Sequence, residues 1–134
     1  MKDMKTKLSL LWIFAMFNYL YADVLSLFDS DILKDVIEGR AGSIQMTDSV
    51  LFGAAVLMET AIMMVLLSQI LSYRLNRWAN IAMGLLHTLA VFGSTVEETP
   101  AAYYAFFATI EIACTLYIIW LAWQWKNPEV SVAL

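Results

Sequence analysis

Cysteine, charge and the residues that break helices are all scarce in this chain of 134 residues. The single cysteine excludes an intrachain disulfide framework and a cysteine-based zinc site. With two prolines and five glycines, the chain cannot be a collagen-like fibre. Charged residues make up 15% of the chain, whereas about 25% is typical of soluble domains. The net charge of −4 argues against nucleic acid as a partner.

Apolar residues are abundant instead, at 61% of the chain. A soluble domain typically contains about 45–50% apolar residues. A soluble chain of this size could not bury so much apolar surface. The composition therefore excludes disorder and indicates a single integral membrane domain covering residues 1–134.

Four segments are long and apolar enough to cross a bilayer as helices. A hydrocarbon core about 30 Å thick needs about 20 mostly apolar residues, and 17 of the 20 charged residues fall outside the four segments. We therefore predict an all-α bundle of four membrane-spanning helices that run alternately up and down. The predicted spans are residues 8–28, 50–72, 78–96 and 101–125.

The basic residues predict the orientation of the chain in the membrane. Only Lys34 and Arg40 lie on one side of the four predicted crossings. Because cytoplasmic loops are enriched in basic residues, we expect both termini to be cytoplasmic. The remaining six basic residues all lie on that predicted inner side: Lys2, Lys5, Lys7, Arg74, Arg77 and Lys126.

The first outer loop, residues 29–49, is long enough to contain structure of its own. Ser30 can cap a short helix that Gly39 can end. The apolar residues between them recur at helical spacing, which predicts either an interfacial helix over the outer mouth of the bundle or a solvated connector. Before the fourth span, Thr99 and Pro100 resemble an N-cap followed by proline at the first helical position.

Each predicted span contains one ionisable side chain, although a charged group at the bilayer centre costs about 2.5–3.5 kcal/mol. We counted their depths from the outer edge of each span at about 1.5 Å per residue. The depths are about 7 Å for Asp23, about 13 Å for Glu59 and His87, and about 15 Å for Glu111. All four fall between the outer interface and the midplane, where we expect them to form one polar pocket.

Hydrogen-bonding side chains accompany these groups at helical spacing. Tyr19 lies one turn before Asp23, and Asn18 is its neighbour. Asn80 and His87 are seven residues apart, which places them on one face of the third span. We therefore predict a ligand-binding pocket formed by Asp23, Glu59, His87 and Glu111 and supported by Asn18, Tyr19 and Asn80.

Three carboxyl groups share this predicted layer with the only histidine, so a protonated His87 neutralises at most one of them. At least one of Glu59 and Glu111 needs another compensation. It stays protonated, faces a water-filled cavity, or holds a metal ion or an organic cation. In the plainer alternative, each glutamate is hydrogen-bonded to a neighbouring helix, His87 packs in the core and Asp23 is solvated at the interface.

Five stretches resemble a family of small bacterial membrane proteins that is catalogued only as a domain of unknown function. They are NYLYADVL at 18–25, LME at 57–59, RLNRWAN at 74–80, IEIACTL at 110–116 and WKNPE at 125–129. The resemblance implies a bacterial inner-membrane location and no particular activity. A weaker, fold-level similarity is to DoxX-like bundles and the emopamil-binding and sigma-2 receptor group, whose acidic membrane cavities bind amphiphilic cations or sterols. No stretch matches their motifs, so no site is carried over.

The predicted pocket favours binding or transport of a small cationic or amphiphilic molecule, including proton-coupled exchange. In this hypothesis Glu59 and Glu111 bind the ligand, while Asp23 guards the outer opening and His87 tunes their protonation. We expect no cofactor and no metal, because the Glu-x-x-His signature of bundle di-metal sites is absent from the sequence.

Two other classes of function stay open at this point. A Glu/His pair suits acid–base catalysis on a lipid-like substrate, so the chain is either an enzyme or a binding protein. Alternatively, the polar layer only fixes helix register or pairs the chain with a partner, including further copies of itself, as in an accessory subunit. A lipid-shaped cavity ending at His87 would favour the enzyme, and carboxyl groups facing a neighbouring chain would favour the accessory subunit.

Overall fold

A computed structural model describes residues 3–96 and 100–127 of the chain. Four of the helices in this part are long and apolar enough to span a membrane, which confirms the predicted all-α, four-span architecture. In chain order the elements are α1 (Met4–Ser26), α2 (Ser30–Ile37), β1 (Arg40–Ala41), β2 (Ile44–Gln45), α3 (Asp48–Ile70), α4 (Tyr73–Val96) and α5 (Ala102–Gln124).

Side-chain caps begin two of the spanning helices. The Asp3 carboxylate accepts a hydrogen bond from the backbone N–H of Thr6 at 3.3 Å before α1. The Thr47 hydroxyl accepts from the backbone N–H of Val50 at 3.3 Å before α3. Such caps satisfy backbone donors that a helix start leaves unpaired. The cap predicted at Thr99 lies outside the described residues.

The start of α4 differs from the prediction. It begins at Tyr73 rather than at residue 78, because only Leu71 and Ser72 separate it from α3. Arg74 and Arg77, which the sequence placed in a loop, therefore lie within the first turns of the helix. The tight connection makes α3 and α4 antiparallel neighbours.

The long loop between α1 and α3 contains a helix and a hairpin, of which the sequence predicted only the helix. Asp29 caps α2 in place of the predicted Ser30, since its carboxylate accepts from the backbone N–H of Asp31 at 3.1 Å. Gly39 follows the helix with a φ of +73°, a left-handed conformation that glycine adopts without strain. Strands β1 and β2 then pair antiparallel.

The four spans form a closed ring in which α1 and α4 each pack against both α3 and α5. Because the chain runs alternately up and down, all neighbours in the ring are antiparallel. The end of the bundle that holds the start of α1 and the turn between α3 and α4 is called the terminal end. The opposite end, which holds α2 and the hairpin, is called the loop end.

The interior of the ring is narrow. Leu8, Trp12 and Ile118 are fully buried there. Many large apolar side chains face outwards instead, for example Phe17 at 56% and Trp78 at 61% exposed. Such a surface suits lipid tails, which are as apolar as the side chains themselves.

Candidate functional site

A hydrogen-bonded network fills the interior near the terminal end. Trp12 Nε1 on α1 donates to Asn80 Oδ1 on α4 at 2.8 Å, and Asn80 Nδ2 donates to Asn76 Oδ1 at 2.7 Å. Asn76 Nδ2 donates in turn to the backbone carbonyl of Ser68 on α3 at 2.7 Å. All four residues are fully buried. The network ties three helices together, so the Asn80 amide is engaged here and does not join the predicted pocket.

His87 lies one layer nearer the loop end, where it is 1% exposed. Its ring stacks on Tyr19 with a centroid separation of 5.6 Å and meets the edge of Trp12 at 5.5 Å. Its Nε2 atom is hydrogen-bonded to the Thr60 hydroxyl of α3 at 2.9 Å. One histidine thus links α1, α3 and α4, and its ring separates the asparagine network from the space beyond.

That space is a cavity of about 180 Å³, which is called the loop-end cleft. All four spans contribute to its walls, and no lysine or arginine among residues 3–96 and 100–127 does. Three of its lining residues are ionisable, two are tyrosines and most of the others are apolar. They are Tyr19, Ala22, Asp23, Leu57, Met58, His87, Ala90, Val91, Ser94, Tyr104 and Glu111.

Two oxygen atoms in the walls of the cleft are buried without a hydrogen-bond partner among the described residues. They are Oε1 of Glu111 and Oη of Tyr19. The two residues are 5% and 8% exposed, respectively. An unsatisfied buried polar group costs about 1–3 kcal/mol, and more when it is charged. Native structures satisfy such groups with protein, water or a ligand, so these two atoms mark where a partner is missing beside the cleft.

Asp23 lies at the mouth of the cleft. It is exposed and stands three residues before the end of α1, about 5 Å from the loop end of that helix. Glu111 and His87 are deeper, each nine residues or about 14 Å from the loop end of its own helix. The two carboxyl groups therefore stand at different depths in one cavity, an exposed one above a buried one.

Glu59 is not among the residues that line the cleft, so the structure brings together three of the four ionisable groups and not Glu59. It is exposed on the outside of α3, whereas the next residue, Thr60, contacts His87 from the inside. Successive residues point about 100° apart around a helix, and here Thr60 points inwards while Glu59 is exposed. The buried positions Ala61, Met64 and Ser68 continue the Thr60 face.

Asn18 also lies outside the cleft. It is half-buried, and its Nδ2 atom donates to the backbone carbonyl of Phe14, one turn earlier on α1, at 2.8 Å. Its neighbour Tyr19 faces the interior instead. Of the seven predicted site residues, the structure thus brings together Asp23, Tyr19, His87 and Glu111.

Sequence reasoning missed two polar residues of this site. Ser94 lines the cleft one helical repeat after His87, at i+7, and that spacing could have predicted it. Thr60 holds His87, and the buried face that continues through Ser68 could have indicated it. Tyr104 also lines the cleft, and it lies seven residues before Glu111 on the same side of α5.

Two further features limit the chemistry of the site. Among residues 3–96 and 100–127, no three His, Cys, Asp or Glu side chains are close enough to hold a metal ion. A wider groove of about 330 Å³ at the loop end is lined by Leu25, Phe28, Asp29 and Tyr103. It is shallow, and its one carboxylate already lies 3.5 Å from the Tyr103 hydroxyl, so the loop-end cleft is the stronger candidate.

The fold and the cleft together define an all-α, multi-pass membrane protein with a polar cavity inside its bundle. A family model described as a family of unknown function, DUF6326, matches residues 1–132, and the chain belongs to that family. This confirms the resemblance to a family of unknown function. No match was found among curated proteins or among solved structures. The weaker likeness to DoxX-like and emopamil-binding bundles has no support in these comparisons.

Proposed function

We propose that this protein binds a small organic ammonium ion in the loop-end cleft. The observation that carries the proposal is the pair of buried oxygen atoms without partners among the described residues, Glu111 Oε1 and Tyr19 Oη, on two residues that line one cavity. A primary ammonium group has three N–H donors and no acceptor. It can donate to these oxygens, while Asp23 provides a second negative group nearer the mouth of the same cavity.

The charge of the cleft supports a cation. Within the part of the chain that the structure describes, its lining includes two acids, Asp23 and Glu111, and no lysine or arginine. In an environment without bulk water, an uncompensated carboxylate is costly, and pairing with a cation removes much of that cost. The aromatic walls favour the same class of ligand, because a tyrosine face attracts a cation within about 6 Å.

The size of the cleft limits the size of the ligand. Its volume of about 180 Å³ is below the range of about 300–1,000 Å³ that is common for drug-sized ligands. The apolar residues Leu57, Met58 and Val91 provide a wall for a short hydrocarbon chain. We therefore propose a short alkylammonium ion and not a sterol or a long-chain amphiphile.

Binding is the step that this geometry supports. The cleft adjoins the loop end, while Trp12, Asn76 and Asn80 fill the interior towards the terminal end. Transport, including exchange for protons, would require that network to open. We therefore propose a binding site that a ligand enters from the loop end.

We also propose a location and an orientation for the chain. The family resemblance points to a bacterial inner membrane, and the six basic residues on the side of the crossings predicted to be inner favour cytoplasmic termini. The mouth of the cleft at Asp23 would then face the outer side of that membrane. A ligand from the periplasm would reach it without crossing the bilayer.

Isothermal titration of the protein in lipid nanodiscs with n-butylammonium chloride tests the proposal. We expect saturable binding to the wild type and, for Glu111→Gln, an affinity about 10- to 100-fold lower, because hydrogen bonds to charged groups contribute about 1.5–3 kcal/mol. Glu59→Gln is the matched control, since it makes the same change at an intramembrane position outside the cleft.

Two further probes separate the contribution of the charge from that of the N–H donors. Butan-1-ol has the same chain without the charge, and tetramethylammonium has the charge without an N–H donor. Both should bind more weakly than n-butylammonium if Glu111 and Tyr19 accept its hydrogen bonds. Equal affinity of Glu111→Gln and wild type for n-butylammonium would overturn the proposal, as would the absence of binding to the wild type.

A further inference from the structure

Glu59 presents a carboxyl group to the outside of the bundle at the middle of α3. It is the twelfth residue of a helix of 23, Asp48–Ile70, and so lies about 16 Å from either end. The residue is exposed, and no hydrogen bond or ion pair reaches its carboxyl group from any residue in 3–96 or 100–127. Lipid head groups lie too far along the helix to reach it, and lipid tails have neither donors nor acceptors.

The residues around Glu59 form an otherwise apolar surface. Positions three, four and seven residues away lie on the same side of a helix, and all of them here are exposed. This surface, called the α3 outer face, consists of Phe52, Ala55, Val56, Glu59, Ile62, Met63 and Leu66. The whole of α3 has only three buried residues, and most of the others are exposed.

A carboxyl group in its protonated form is self-complementary, because it has one O–H donor and one carbonyl acceptor. Two copies of a chain related by a two-fold axis place the same residue opposite itself. In two copies that cross the membrane in the same direction, both Glu59 residues lie at one depth. From this complementarity we infer that the α3 outer face is the interface with a second copy of this chain, with the two Glu59 carboxyl groups hydrogen-bonded to each other.

This occupant satisfies the group that a lipid could not. Polar side chains inside membranes are commonly hydrogen-bonded across helices, and the small Ala55, one turn from Glu59, lets two helices approach closely. The inference does not depend on the loop-end cleft, which lies inside the bundle on the far side of α3.

Cysteine cross-linking in native membranes tests the interface. In a Cys114→Ala background, which removes the only native cysteine, Ala55→Cys and Ile62→Cys should form disulfide-linked dimers under mild oxidation. Leu116→Cys, an equally exposed position on α5 at 50% exposure, should not. Comparable dimers from Leu116→Cys, or products whose mass shows a different protein, would overturn the inference.

Substitutions of Glu59 itself give a second, independent measurement. Glu59→Gln keeps both a donor and an acceptor and should dimerise like the wild type. Glu59→Leu should dimerise at least about fivefold more weakly in single-molecule photobleaching of the protein in lipid bilayers, since an interhelical hydrogen bond is lost. A wild type that is monomeric at all densities, or a Glu59→Leu variant that dimerises as well as wild type, contradicts the interface. Unchanged thermal unfolding of Glu59→Leu would show that the monomer fold is retained.

Discussion

Glu111 and Glu59 show how the surroundings of a residue decide its role. Both are intramembrane glutamates, and their distances from the loop end differ by only two residues, about 3 Å. Glu111 faces the interior beside Tyr19 and has an unpaired oxygen, whereas Glu59 faces outwards. The first group is available to a ligand inside the bundle and the second to another helix.

Gly84 allows a close contact between α4 and α5. A Cβ atom at this position would lie 2.7 Å from Ile119 Cγ1 and 3.3 Å from the backbone carbonyl oxygen of Thr115 on α5. The same close approach brings the Thr88 and Thr115 hydroxyls within 2.7 Å of each other. We predict that Gly84→Ala destabilises the protein by about 1–3 kcal/mol, because overpacking forces backbone shifts.

Thermal unfolding in detergent measures this prediction, with Gly93→Ala as the control. A Cβ atom at Gly93 would have nothing within 4 Å. The control should be neutral or stabilised by up to about 1 kcal/mol, since alanine has the higher helix propensity. Equal midpoints for the two variants would contradict the tight contact between α4 and α5.

Asn80 anchors the network that closes the terminal end. Replacing it by leucine would leave Trp12 Nε1 and Asn76 Oδ1 without their partners. We predict a loss of about 1–3 kcal/mol in the free energy of unfolding, which is the cost of unsatisfied buried groups. Asn18→Leu is the matched control, because Asn18 bonds only to its own helix backbone. Chemical unfolding should show a larger loss of stability for Asn80→Leu than for Asn18→Leu. A similarly small loss for both variants would argue against the network.

The depth of each polar residue could be predicted from the sequence, but the direction in which it points could not. Counting from the span edges placed Glu111 and His87 in one layer correctly. For Glu59 the count gave the depth alone, because α3 is apolar on nearly every side and its sequence has no polar face that fixes its rotation. Asn80 shared a helical face with His87, yet Trp12 engages its amide in another layer.

At the level of elements, α2 has an apolar side that the bundle does not cover. None of its residues is buried, and Val36 and Ile37 are 49% and 76% exposed. Asp31 lies on the opposite, polar side with its side chain 91% exposed. An amphipathic helix of this kind lies in the membrane interface, so we predict that α2 rests there with Ile37 towards the acyl chains.

Site-specific fluorescence tests the placement of α2. In a Cys114→Ala background, a polarity-sensitive dye on Ile37→Cys should emit further to the blue than the same dye on Asp31→Cys. Lipid-attached nitroxides should quench the first dye, and aqueous iodide should quench the second. Identical spectra and quenching at the two positions would show instead that α2 is a solvated connector.

Hydropathy was sufficient for the long elements because each span must match the thickness of the bilayer. It misplaced the start of α4, since Arg74 and Arg77 appeared to belong to a loop although a two-residue connection already suffices. It could not indicate the hairpin, because strands of two residues, Arg40–Ala41 and Ile44–Gln45, are too short to show an alternating pattern.

For the whole molecule, the distribution of basic residues predicts that the terminal end is cytoplasmic. A fluorescent-protein fusion after Leu134 should therefore be bright in bacterial cells, and an alkaline phosphatase fusion at the same site inactive. Phosphatase fused after Gln45, in the loop before α3, should be active. The reverse pattern would place the mouth of the cleft on the cytoplasmic side and contradict the proposed access from the periplasm.

The proposed cation must occupy the cleft between Tyr19 and Glu111. Nuclear Overhauser effects between n-butylammonium and the isotope-labelled protein measure this directly. We predict magnetisation transfer from the ligand methylene protons to the rings of Tyr19 and Tyr104, and its loss in Glu111→Gln. Transfer instead to the outward-facing ring of Tyr21, or the same transfer in wild type and Glu111→Gln, would contradict the account.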